Sequence, residues 1–302
     1  MDKEQTAIQR LQTASEMSLR YYHQPLIITD SGGKDSSVCK ALAIRAGIPF
    51  EVIHNHTTAD APETVRFVRQ EFKRLEDMGI KCTLNMPVYN GKRTSMWELI
   101  PQKLMPPTRF VRYCCSILKE GGGKGRFIAT GVRWDESDSR KKNRGIYEKL
   151  GSTPSTKIII NNDNDENRLL FENCRLQAKR VVNPIIDWKD ADVFDYLEES
   201  KTPMNPLYDE GQTRVGCIGC PLASRNNRIA EFKRWPKYKQ LYLNAFERMI
   251  EERYRRGKMN GEMRMGYTAK DVFNWWMDSG VLPGQIDWDE YLEYSLDDED
   301  YL

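Results

Sequence analysis

The stretch Asp30-Ser31-Gly32-Gly33-Lys34-Asp35-Ser36-Ser37 is where this 302-residue chain is best equipped for chemistry on phosphate. It follows an apolar run at residues 25–29, which predicts a short buried strand. It precedes residues 37–45, whose spacing predicts a helix closed at Gly47. A strand, a glycine-rich turn and a helix start together offer backbone N–H groups and a positive helix end to an anion. Gly32 and Gly33 allow close approach of a ligand to the backbone, and Lys34 adds a point charge suited to phosphate. The pattern is not the Walker loop, which needs GxxxxGK followed by Ser or Thr.

Four of the seven cysteines form a second group: Cys114 and Cys115 are adjacent, and Cys217 and Cys220 make a CxxC. CxxC thiolates can ligate one metal centre. Two adjacent thiolates point in different directions, which suits separate irons of a larger cluster better than a zinc knuckle. Residue chemistry leaves three readings open: an iron–sulfur cluster, a structural zinc, or four unrelated buried thiols. Cys39, Cys82 and Cys174 read as core.

These residues need elements to position them. Residues 5–20 predict an amphipathic helix with Ile8, Leu11, Ala14 and Leu19 on a shared face. A strand at 50–53 runs into His54-Asn55-His56-Thr57. A helix at 61–78 is expected to start with Asp60 as cap and Pro62 in its first turn. Strands at 81–86 and 126–133 and helices at 95–103 and 189–200 follow. The 151–180 region reads as a hairpin insertion, with strands at 157–161 and 168–172. Such alternation predicts an α/β fold, a doubly wound, mostly parallel sheet with helices on both faces. Ligands of such sheets bind beyond the carboxyl ends of the strands, where Ser31, His54 and Arg133 are expected. This gives a nucleotide-binding domain at 1–222, containing the insertion and the CxxC, and a helical C-terminal region at 223–302.

The formal net charge of +2 names no partner. Residues 225–258, with 11 Lys/Arg and 4 Asp/Glu, form a basic helical stretch that could receive a nucleic acid. Residues 286–302 form an acidic tail. No run of eighteen apolar residues is present, so no membrane partner is expected. The polar start MDKEQTAIQR lacks a signal peptide's apolar core, so a cytoplasmic location is expected. Thiols there are reduced or bound to metal. Oligomeric state is not readable.

The loop SGGKDS resembles the pyrophosphate (PP) loop of the adenine-nucleotide alpha-hydrolases, which split ATP between the alpha and beta phosphates. Two adjacent cysteines, about a hundred residues and then CxxC resemble the cluster signature of the iron–sulfur adenylyl-sulfate reductases, in the phosphoadenylyl-sulfate (PAPS) reductase family. Lys119 sits where a family lysine lies near the cluster. Pro62-Glu63-Thr64, Thr130-Gly131-Val132-Arg133 with Glu136, Ser137 and Arg140, DWKDADVFDYL at 187–197, and Asn205-Pro206-Leu207-Tyr208-Asp209 resemble further family motifs. The resemblance covers about residues 25–222.

It implies a 4Fe-4S cluster on Cys114, Cys115, Cys217 and Cys220, and a nucleotide contacted by Ser31, Gly32, Gly33, Lys34, Asp35, Ser36, Ser37, His54, Gly131, Arg133 and Arg140. Lys34 and Arg133 are the expected catalytic cations, and Asp35 the expected holder of Mg2+. Two departures matter. The reductases carry a nucleophilic cysteine near the C-terminus, and no cysteine follows Cys220 here. They usually have an altered phosphate loop, whereas this one is intact. Both point to ATP, as in the cluster-bearing proteins of DNA phosphorothioation and tRNA thiolation. The expectation is ATP-dependent adenylation or sulfur transfer, with a sulfur donor or redox protein as partner. The alternatives are an adenylyl-sulfate or PAPS reductase borrowing a thiol, and a non-catalytic nucleotide- and cluster-binding subunit.

Overall fold

The computed structural model of the protein describes residues 2–120, 122–123, 125–150, 158–161, 179–258 and 267–278. The expected strand at 168–172, Cys174 and the acidic tail lie outside the described residues. The chain divides into two compact units. The first comprises Met1–His56, Asp60–Met86 and Lys119–Gly216, and the second Thr57–Ala59, Pro87–Leu118 and Cys217–Leu302. The division is discontinuous, unlike the expected boundary at 222/223. Residues 87–118 and the CxxC belong with the C-terminal helices.

In the first unit, β1 (Leu26–Asp30), β2 (Phe50–Asn55), β3 (Cys82–Asn85), β6 (Phe127–Ala129), β7 (Tyr147–Leu150), β8 (Ile158–Ile160) and β9 (Lys179–Val182) form a seven-stranded sheet. Its order is β3-β2-β1-β6-β9-β7-β8. The first five strands are parallel, and β7 and β8 add an antiparallel edge. This is the expected mostly parallel, doubly wound α/β architecture. The central strands are apolar and buried, as strands covered on both faces must be.

The helices of this unit are α1 (Lys3–Tyr22), α2 (Lys34–Arg45), α3 (Pro62–Asp77), α5 (Asp138–Asn143) and α6 (Asp190–Glu199). Asp2 caps α1 by accepting the Glu4 N–H. Leu19 of α1, expected on the buried face, is 41% exposed, because its position falls outside the stripe of Ala7, Leu11 and Ala14. Asp60 does not cap α3: Ala61 is the N-cap, and Pro62, which needs no N–H partner, starts the helix. The strand expected at 126–133 is only Phe127–Ala129. Gly131 turns away, because it packs against the backbone of Asp35.

The second unit holds a small hairpin, β4 (Val88–Tyr89) with β5 (Lys92–Arg93), and the helices α4 (Met96–Lys103), α7 (Arg225–Arg234), α8 (Pro236–Arg255) and α9 (Ala269–Asp278). Pro236 splits the basic stretch into two helices by starting α8 after Trp235. Their core is aromatic. Tyr242 and Trp276 stack with centroids 4.6 Å apart, and Trp97 meets Tyr242 edge-on at 5.0 Å. Among the described residues, no helix is long and apolar enough to cross a membrane.

Candidate functional site

Asp30, at the end of β1, organises the phosphate loop although it was not among the expected nucleotide contacts. Its carboxylate is buried and accepts the Gly32 N–H at 2.9 Å and the Lys40 ammonium at 2.8 Å. Burial alone would raise the Asp30 pKa, but Lys40, His54 and the Gly32 N–H together hold it below the ordinary carboxylate value. Ser36 Oγ lies 2.9 Å from Asp30 Oδ1 and 2.8 Å from the Gly33 carbonyl, donating to one at a time, and accepts the Ser31 N–H at 3.3 Å. Gly32 has φ +72°, and a Cβ there would lie 2.7 Å from Thr64 Cγ2. Only glycine fits that position. Gly33 is the N-cap of α2, and Ser31 is exposed.

The NPLYD segment clasps this loop from the other side. Asn205 Nδ2 donates to the Gly32 carbonyl and to Thr64 Oγ1, both at 3.0 Å. Tyr208 OH accepts the Lys34 N–H at 3.0 Å, at the start of α2. Burial pushes the Tyr208 phenol up to about 12, so it stays neutral and keeps its proton.

Lys34, Asp35, Arg133 and Asp190 form an alternating charge network. Lys34 Nζ lies 3.2 Å from Asp190 Oδ1 and 3.5 Å from Asp35 Oδ2. Arg133 Nε donates to Asp35 Oδ1 at 2.6 Å and its NH2 to Asp190 Oδ1 at 2.5 Å. Lys34 and Arg133 are 5% and 2% exposed, so two buried cations face two carboxylates. Burial would raise the Asp190 pKa, yet Lys34 and Arg133 hold it below the usual range. Asp190 begins α6 and reaches the loop from far along the sequence, which spacing could not reveal.

The remaining expected nucleotide ligands are placed differently. Ser37 is buried, and its hydroxyl has no hydrogen-bond partner among the described residues. A Cβ on Gly131 would come within 2.8 Å of the Asp35 carbonyl carbon, so this glycine serves close packing of the loop after β6 against α2. Arg140 of α5 pairs with Glu136, in the short turn just before that helix. His54 is 3% exposed, and its Nδ1 lies 2.9 Å from the Asp30 carbonyl. Burial and the neighbouring His54 and Arg69 keep the His56 imidazole below its ordinary pKa, against the opposing pull of Asp60.

All four paired cysteines lie in the second unit. Cys114 and Cys217 are buried, and Cys115 and Cys220 are half-buried. A hydrogen bond with Cys115 and then burial raise the Cys114 thiol far above its ordinary pKa, and the charges of Cys115, Cys217 and Cys220 raise it further. The CxxC turn requires glycine: Gly219 has φ +72°, and a Cβ there would meet Phe232 at 2.6 Å. The Gly219 N–H donates to Glu231 Oε2 at 2.7 Å, and Tyr242 OH to the Ile218 carbonyl at 3.0 Å.

Arg228 is a buried cation of the same unit. It is 4% exposed and stacks 3.9 Å over the Trp276 ring, and its NH1 donates to the Trp276 carbonyl at 2.9 Å. Its Nε and NH2 are buried without a hydrogen-bond partner. Burial lowers its pKa, while Tyr242 and Cys220 act in the opposite direction. A buried cation beside these thiols fits a group of net negative charge, such as a thiolate-ligated iron–sulfur cluster.

The basic stretch is less free than its composition implies. Arg225, Arg248, Arg255 and Arg256 pair with Asp278, Glu98 and Glu252. Arg253 donates to the Leu104 carbonyl.

Residues 25–223 match the phosphoadenosine phosphosulfate reductase domain. An uncharacterized protein of Methanocaldococcus jannaschii is 31% identical over 78% of this chain, which spans 49% of that relative, about half its length. An adenosine 5'-phosphosulfate reductase of Bacillus cereus is 22% identical, covering 74% of this chain and 84% of the relative. The crystal structure of phosphoadenylyl-sulfate reductase from Candida auris is 18% identical with a TM-score of 0.41, covering 70% of this chain and 93% of the other. With the domain match extending over most of the described sheet and the CxxC, the chain belongs to the phosphoadenosine phosphosulfate reductase domain family.

Proposed function

We propose that this chain is a cluster-bearing enzyme of sulfur chemistry that binds ATP at residues 31–37 and transfers adenylate or sulfur to an acceptor. Lys34 carries the reading. It is a buried ammonium on the first turn of α2, balanced by two carboxylates that a triphosphate would replace as counter-charge. Ser31, Gly32, Gly33 and Ser36 cradle the leaving pyrophosphate, with Mg2+ accompanying the nucleotide. Arg133 offsets charge developing at the alpha phosphate, and Asp35 aligns Arg133 with Lys34. Cys114, Cys115, Cys217 and Cys220 hold a 4Fe-4S cluster, with Arg228 as buried counter-charge. When bound, that cluster supplies electron or sulfur handling. The acceptor is a small molecule or a nucleic acid, and a sulfur donor or redox protein completes the cycle.

The test is ATP–pyrophosphate exchange with anaerobically prepared protein, with and without RNA or DNA. Exchange that disappears in Lys34→Ala supports the reading. A second reading, reduction of adenylyl sulfate or PAPS with a borrowed thiol, is favoured by the similarity to the Bacillus cereus reductase. Sulfite release with a thioredoxin system at about 1 per second or faster would select it. Nucleotide binding with neither product would select a non-catalytic subunit.

A further inference from the structure

We propose that His54, His56 and Asp60 bind a divalent first-row transition ion at the carboxyl end of β2. One ligand atom from each residue lies within 4.8 Å of the others. The His56 Nδ1–Asp60 Oδ2 separation is already 3.5 Å. Donors about 2.0–2.2 Å from a common ion stand about 3–3.5 Å apart, so modest side-chain rotation closes the set. The local sequence explains the grouping. His54 and His56 are two residues apart at the end of a strand, so they project to one side, and Asp60 follows after a short turn.

His54 supplies the second, independent observation. It is 3% exposed, and its Nδ1 lies 2.9 Å from the Asp30 carbonyl, the one hydrogen bond it makes among the described residues. A carbonyl oxygen only accepts, so Nδ1 is the donor to Asp30 and Nε2 is the nitrogen left to face a metal. An imidazole oriented through its N–H by a backbone carbonyl is the usual support of a metal-ligating histidine. Two imidazoles and one carboxylate form a nitrogen–oxygen donor set. It selects ions such as Zn2+, Fe2+ or Co2+ over Mg2+ and Ca2+, which prefer oxygen alone. Three protein ligands leave at least one coordination position for water or a ligand oxygen. Asp30 ties this site to the loop, because its carbonyl orients His54 while its carboxylate holds Gly32 and Lys40.

The test is a Co2+ titration of the full chain with its thiols occupied by the cluster and no nucleotide present. The expected result is one Co2+ per chain with weak visible ligand-field bands and no intense thiolate charge-transfer band. His56→Gln and Asp60→Asn should each raise the dissociation constant at least about tenfold while circular dichroism is unchanged. The chain has three histidines, so His23 serves as an internal control. Paramagnetic shifts should move the ring protons of His54 and His56 but not of His23, a readout on the unaltered protein that does not depend on the variants folding. Thiolate-type cobalt alone, no bound ion, unshifted His54 and His56 rings, or unchanged affinity in both variants would overturn the proposal.

Discussion

Arg133 Nε lies 2.6 Å from Asp35 Oδ1 across a separation of 98 residues, joining the loop after β6 to the first turn of α2. Burial alone would lower the Arg133 pKa, but Asp35 and Asp190 outweigh it and hold the guanidinium firmly charged. The same fork reaches the Trp188 carbonyl at 3.3 Å. Lysine keeps the charge but cannot serve three acceptors in a plane. Arg133→Lys should therefore lower stability by about 1–3 kcal/mol in urea unfolding, the cost of stranding buried partners. An unchanged midpoint would show that the network does not support the fold.

Gly32 and Gly33 look alike in sequence but should respond unequally to alanine. At Gly32 a Cβ meets a positive φ and the Thr64 methyl at 2.7 Å. Gly32→Ala should cost about 2–4 kcal/mol and abolish nucleotide binding. At Gly33 the backbone is extended, and the nearest atom, Ser31 Oγ, is 3.3 Å away. Gly33→Ala should stay within about 1 kcal/mol of the parent. Equal effects in thermal unfolding would contradict this geometry.

That contrast marks where sequence reading stops. The strand–turn–helix at residues 26–45 was legible because apolar run, glycines and helical spacing are local signals. The partners of the loop were not. Asp190, Asn205 and Tyr208 lie in recognisable motifs, yet nothing in their spacing says that they close on Lys34 and Gly32. Asp30 looked like the first residue of the loop, and its role appears only when Lys40 and Gly32 surround it. A cluster on the four cysteines was an expectation from resemblance, whereas Arg228 lay hidden in a basic stretch that suggested solvent. Tertiary burial, invisible to composition, separates it from its neighbours.

Asp30 and Lys40 predict a pH dependence. The Asp30 carboxyl is depressed in the folded state below its ordinary value of 3.8. Its contribution to stability is therefore present above that value and lost as pH falls through the lower folded one. In Lys40→Met the carboxylate is buried without its cation, so its folded pKa rises and the sign reverses. The variant should lose about 3–5 kcal/mol at pH 7, and the deficit should shrink toward pH 4 as Asp30 protonates. Urea titrations at both values check this, and a deficit that grows in acid would refute it.

Arg228 predicts a redox effect once the cluster is present. A buried cation near the thiols favours the reduced, more negative cluster. Arg228→Met should retain iron but shift the reduction potential downward by on the order of 60 mV, the one-electron equivalent of about 1.4 kcal/mol. The measurement is an anaerobic dye-mediated titration followed by electron paramagnetic resonance. Potentials agreeing within error would mean that Arg228 serves the aromatic core alone, through its stacking on Trp276.

Tyr208 predicts a competition at the loop. Its hydroxyl accepts the Lys34 N–H at 3.0 Å, one of the amides that a phosphate at the start of α2 would use. The phenol is neutral, so it holds that amide with an ordinary hydrogen bond worth about 0.5–1.5 kcal/mol. Its ring also packs near the Lys34 ammonium, 5.9 Å from its centroid. The two contributions can be separated. Tyr208→Phe keeps the ring and releases the amide, so ATP should bind up to about tenfold more tightly. Tyr208→Ala removes both and frees Lys34 to reorient, so ATP should bind more weakly than to the parent. Equilibrium titration of both variants reads the difference. Weaker binding in Tyr208→Phe would instead make the hydroxyl a direct contact of the nucleotide, with the phosphate seated beside the Lys34 amide rather than on it.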